Sequence, residues 1–99
     1  MTTPLELSAR RDATGVTVLT AVGEIDMSNA AGFRDALAAA GAGGADFTVD
    51  LTGVDYLDSA GLTALLPYAS RVKIIATALL APVLSVTGLD PVTTVVTTP

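Results

Sequence analysis

The chain reads as a single α/β domain spanning residues 1–99, in which a mixed sheet of four or five strands carries its helices mainly on one face. Three observations predict this. Short runs rich in β-branched or aromatic residues, several of them alternating in polarity, recur at residues 5–10, 15–22, 47–51 and 71–76. Helical spacing separates the later runs, with Phe33 and Leu37 four apart and Leu62, Leu65, Leu66 and Ala69 on one face of a second segment. The resulting β-α-β-α-β alternation implies a sheet with helical cover. Ninety-nine residues are enough for one core and too few for two domains. Hydrophobic residues make up 51% of the chain and aromatics only 4%, so that core must be built from Ala, Val, Leu and Ile.

The elements follow in order. Residues 5–10 and 15–22 flank a turn at 11–15 and form a hairpin. Gly23, Glu24, Ile25 and Asp26 read as an acidic turn, after which Ser28 can cap a first helix that stops at Gly41, Gly43 and Gly44. A buried strand at 47–51 ends in a second turn, and a second helix opens near Ala60. Pro67 cannot continue that helix, so Leu66 is its expected boundary. A strand at 71–76 precedes a short helix at 81–87, with Pro82 in its first turn and Gly88 as its stop. Residues 92–96 fit either a last strand or a fraying tail.

Composition excludes several function classes. The net charge of −5 disfavours nucleic acid and anionic membrane surfaces. Cysteine is absent, which removes disulfides, thiolate metal sites and cysteine nucleophiles. Residues 74–89 are uncharged but broken by Pro82, Ser85 and Gly88, too interrupted for a membrane span. No basic-then-apolar leader follows Met1, so cytoplasmic residence is the expectation. Neither a P-loop nor a Gly-x-Gly-x-x-Gly stretch is present to cradle a nucleotide. Glu24, Asp26 and Asp58 could be read as an acidic catalytic site, yet the chain has no His or Cys to serve as base or nucleophile. Asp26, Asp55 and Asp58 could hold a hard cation, but their spacing matches no EF-hand loop. No cofactor or metal is expected.

The segment Asp58-Ser59-Ala60-Gly61-Leu62 is the most informative stretch. It puts a hydroxyl between a carboxylate and a helix start, where a side chain can cap free amides. Ser59 is then either a plain cap or an exposed acceptor. Together with the upstream Gly23-Glu24-Ile25-Asp26, this segment resembles the STAS domain of anti-sigma-factor antagonists. Thr87-Gly88-Leu89-Asp90 is similar to a third landmark of that family, and the likeness runs over residues 5–96. The resemblance implies a protein that is not an enzyme. In its unphosphorylated form it binds an anti-sigma serine kinase. Phosphorylation at Ser59 by that kinase, which brings its own nucleotide and magnesium, releases it, and a phosphatase restores it. By that resemblance Asp26 would face the partner and Asp58 would orient the hydroxyl or the partner; separately, Glu24 belongs with Asp26 to an acidic recognition patch, and Thr63 and Ala64, off the apolar face of the second helix, could border a partner surface. An alternative within the same family is the STAS subunit of a membrane transport assembly. Two departures from the family pattern stand out, a shortened second helix and the absence of a final helix.

Overall fold

In the computed structural model, which describes residues 4–86, 89 and 94–98, five strands form one sheet in the order β1-β2-β3-β4-β5. They are β1 (Glu6–Arg11), β2 (Thr17–Ile25), β3 (Phe47–Leu57), β4 (Val72–Thr77) and β5 (Thr94–Thr98). β1 pairs antiparallel with β2, and every later pairing is parallel. The hairpin turn is tied by Asp12, whose Oδ1 accepts from the Thr14 amide at 2.8 Å and the Val16 amide at 3.1 Å. Among the described residues three helices lie in the crossovers: α1 (Ala30–Ala40), α2 (Ser59–Leu65) and α3 (Ala81–Val86). Because the strand order steps in one direction and parallel crossovers are right-handed, all three helices lie on one face.

That face holds the core. Phe33 and Leu37 of α1, Leu65 of α2 and Leu84 of α3 are fully buried against Leu19, Ile25, Val49, Leu51 and Ile74 of the sheet. The other face is mixed: Thr20, Asp50, Lys73 and Thr77 meet water at least in part, while Val18 and Thr48 on the same side are buried and Val22 and Ile75 add apolar surface. Residues 94–98 form a last strand, which resolves the choice left open by sequence in favour of a strand over a tail.

Several local expectations are corrected. Gly23, Glu24 and Ile25 are not a turn but the end of β2, and the turn begins at Asp26. Gly23 is required there because its φ is +111° and a Cβ would stand 2.2 Å from the Pro4 carbonyl oxygen. Strand β3 likewise does not stop at Leu51 but runs to Leu57. It gains a residue on β2 twice, between the pairs Thr20↔Asp50 and Val22↔Gly53, and between Gly23↔Val54 and Glu24↔Tyr56. The turn chemistry seen in the sequence is real: Asp50 Oδ1 accepts from the Thr52 amide at 2.9 Å. It makes a bulge instead of a reversal.

The first helix is capped in position by Asn29, not by Ser28. The second ends at Leu65 and passes into a 3-10 turn, Leu66–Tyr68, that contains Pro67. The buried stripe of α2 is Gly61, Leu62, Ala64 and Leu65, which leaves Leu66 48% exposed beside it and puts Ala64, 3% exposed, in the core instead of a contact surface. Of the third landmark only Leu89 is among the described residues, and it is buried; the expected stop at Gly88 lies outside them.

Candidate functional site

The parallel register of β2 and β3 brings both acidic segments to one edge of the sheet. Ile25 pairs with Leu57, and the Asp58 amide donates to the Ile25 carbonyl at 3.2 Å. The turn after β2 and the start of α2 after β3 are therefore neighbours at the carboxyl ends of adjacent strands, the end of an open parallel sheet where ligand sites are usually built.

At the second turn Asp58 is the cap. Its Oδ1 accepts from the Ala60 amide at 2.9 Å and the Gly61 amide at 3.3 Å, in extended backbone with φ −96° and ψ −174°. Ser59 is thereby freed from capping. It is exposed at the first helical position, and its hydroxyl makes no hydrogen bond among the described residues. Its carbonyl accepts from Thr63 Oγ1 at 2.7 Å, so Thr63 lies exposed one turn along the same helix with its own hydroxyl engaged. Gly61 lets α2 come down on the strand ends: a Cβ there would be 2.3 Å from Leu57 Cδ1 and 2.8 Å from Ile25 Cγ2. In sequence it read only as punctuation.

At the first turn the roles are rearranged. Asp26 Oδ1 accepts from both the amide and the hydroxyl of Ser28. The Ser28 hydroxyl, and then its amide, hold the Asp26 carboxyl below the ordinary aspartate range. Asn29 Oδ1 accepts from the Asp26 amide at 2.9 Å, and Asn29 Nδ2 donates to the Glu24 carbonyl at 2.9 Å. Sequence reasoning missed Asn29 because Ser28 and Asn29 are both favoured at helix starts and side-chain direction is not written in the spacing. Glu24 itself lies in β2 opposite Tyr56, and its alternation with Ile25 turns it to the uncovered face of the sheet, away from the turn.

Beside the second turn, Leu62 of α2 and Pro82, Val83 and Val86 of α3 line a shallow, open apolar groove of about 400 Å³. Val86 is 87% exposed at its rim. Among the described residues no three His, Cys, Asp or Glu side chains are grouped to hold a metal ion, and no helix is long and apolar enough to cross a membrane.

A family sequence model described as Mlab, STAS domain matches residues 8–96. The chain belongs to the STAS-domain family. The crystal structure of an anti-sigma factor antagonist from Mycobacterium paratuberculosis is similar to it over 94% of this chain and 86% of that one, with TM-score 0.83 and 26% identity. A candidate anti-sigma factor antagonist from Thermotoga maritima shares the fold at TM-score 0.69 and 17% identity, over 93% of this chain and 86% of its own. A DUF3478-family protein with a SpoIIAA-like fold from Shewanella loihica does so at TM-score 0.63 and 18% identity, over 97% and 86%. No curated protein matches the chain. The STAS resemblance read from the two acidic segments thus holds over most of the sequence.

Proposed function

We propose that this STAS domain is an anti-sigma-factor antagonist that works by reversible protein binding, with Ser59 as its phosphorylation switch. The observation that carries the reading is the division of labour at the sheet edge. Asp58 does the capping and leaves the Ser59 hydroxyl exposed and unbonded, whereas the neighbouring Ser28 hydroxyl is spent on Asp26. An unengaged serine hydroxyl is what a kinase needs as an acceptor. The STAS family and the fold shared with the Mycobacterium paratuberculosis antagonist support the same reading.

The partner is an anti-sigma factor of the serine-kinase type. It holds the unmodified domain through Asp26, Asp58 and Thr63 at the strand ends, while Glu24, on the uncovered face of the sheet, lies outside that contact. The apolar groove between α2 and α3 supplies buried area next to the hydroxyl. Phosphorylation replaces that hydroxyl with a group carrying nearly two negative charges. Repulsion from Asp58 and Asp26, which strengthens when a partner excludes water, and loss of water from a covered dianion together cost about 1–3 kcal/mol, a loss of about 5- to 150-fold in affinity. A phosphatase returns the domain to its binding form. The chain is a kinase substrate and carries out no chemistry of its own, with the cytoplasm as its place of work.

The test is mass spectrometry of the protein from its own cells, wild type against Ser59→Ala. One added phosphate, lost in the variant, is expected. A Ser59 unmodified in growth and in stress alike would sink the switch. The matched family is described by the name Mlab and not by anti-sigma factors, which keeps a second reading in view, that of a STAS subunit in a membrane transport assembly. Stable copurification with an ATPase, indifferent to Ser59→Asp, would favour it.

A further inference from the structure

The Ile25–Asp26 peptide group is held from both sides. Its carbonyl, on Ile25, accepts from the Asp58 amide at 3.2 Å, and its N–H, on Asp26, donates to Asn29 Oδ1 at 2.9 Å. The same Asn29 carboxamide donates through Nδ2 to the Glu24 carbonyl at 2.9 Å, and the Asn29 amide closes on the Asp26 carbonyl at 3.2 Å. One side chain thus ties the last turn of strand backbone to the first residue of the loop, and the plane it steadies is the one bonded to the start of the Ser59 segment.

We propose that Asn29 is a positioning residue of the partner-binding edge, locking the Ile25–Asp26 peptide plane so that the Asp26 carboxylate keeps a fixed place beside the Asp58–Ser59 turn. The chemistry asks for an asparagine. A donor and an acceptor must be presented together, to a carbonyl and to an N–H, and a carboxamide supplies both while aspartate lacks the donor and serine spans a shorter reach. The orientation of the amide follows from the partners, since the flipped form would face oxygen with oxygen and N–H with N–H.

An ordinary cap role does not account for this arrangement. Asn29 stands at the N-cap position of α1, yet its side chain makes no bond to the first helical amides. At the matching position of α2, Asp58 bonds forward to Ala60 and Gly61. Asn29 gives up that forward bond and turns back to the strand, which is what a residue serving the turn rather than the helix would do.

The inference rests on the reading of Asp26 as a partner contact, and the test separates the two. Amide exchange followed by NMR in Asn29→Ala needs no partner. The Asp26 amide is expected to exchange about tenfold faster, with a smaller rise at Asp58, while the α1 amides keep their protection. An unchanged Asp26 amide, or acceleration through the first turn of α1 instead, would overturn the proposal. The second arm is a double-mutant cycle in affinity for the anti-sigma serine kinase. Asn29→Ala is expected to weaken binding about fivefold in the wild-type background and less than about twofold in Asp26→Asn. Equal losses in both backgrounds would refute a role exerted through Asp26. If no such kinase binds either background, the partner reading fails and the exchange experiment still decides whether Asn29 locks the turn.

Discussion

The two turns at the carboxyl ends of β2 and β3 use the same residue types in opposite ways. Each has an aspartate followed by a nearby serine and then a helix. After β3 the aspartate bonds forward to helix amides and its serine is left exposed with a free hydroxyl. After β2 the aspartate bonds to its serine, and the capping position is held by an asparagine that bonds backward. Availability of a hydroxyl is therefore not a property of the Asp and Ser pair but of which neighbour takes the capping work. Spacing decides it: at Asp58 the serine is the next residue and becomes the first helical position, whereas at Asp26 it is two residues on, within reach of the carboxylate.

The contrast depends first on how closely α2 sits on the strands, and Gly61 sets that distance. Gly61→Val forces a side chain into space held by Leu57 and Ile25, and the expected loss is about 2–3 kcal/mol, read as a lower urea midpoint at unchanged slope. If the variant unfolds at the wild-type midpoint, Leu57 has room to rotate away and the close approach is not needed. Next in size is Asp58→Ala, which removes both forward bonds and should cost about 1 kcal/mol. Ser59→Ala in the same assay should change stability by less than about 0.5 kcal/mol, as for a surface residue without a structural bond. Equal losses in the two variants would mean that Ser59 shares the cap, and the comparison between the turns would collapse.

Much of this was legible in the sequence, and the gaps have physical causes. Strands with alternating polarity announced themselves because burial on one face forces a period of two, and Phe33 and Leu37 announced α1 in the same way. The bulged end of β3 did not, because Asp50, Thr52 and Gly53 carry turn chemistry that serves equally for an extra residue in a strand. The large apolar residues Leu62, Leu65 and Leu66 suggest one face for α2, but the small residues Gly61 and Ala64 are the ones that approach the sheet, which shifts the buried stripe and leaves Leu66 outside it. The order of residues in the chain singles out the aspartates and Ser59 as candidates. It does not single out Asn29, since its partners are backbone groups, which leave no trace in residue type.

The smallest effect bears on the first turn alone. The Ser28 hydroxyl and amide favour the charged form of Asp26, so its folded value lies below the unfolded one. A carboxyl depressed in this way adds stability that is present above the unfolded value of about 3.9 and is lost as pH falls through the folded value. Ser28→Ala removes the largest cause. The Asp26 carboxyl followed by NMR should then titrate at higher pH than in the wild type, and the variant should be slightly less stable than the wild type near neutrality, the two converging as pH falls below the folded value. Asp26 is half-buried and its carboxyl still meets water, so water screens the gain and the shift in titration will be easier to see than any change in melting. A titration midpoint that does not move would mean that the Ser28 hydroxyl is not committed to Asp26. It would then be as available as that of Ser59, and the distinction between the two turns would have to rest on the cap at Asp58 alone.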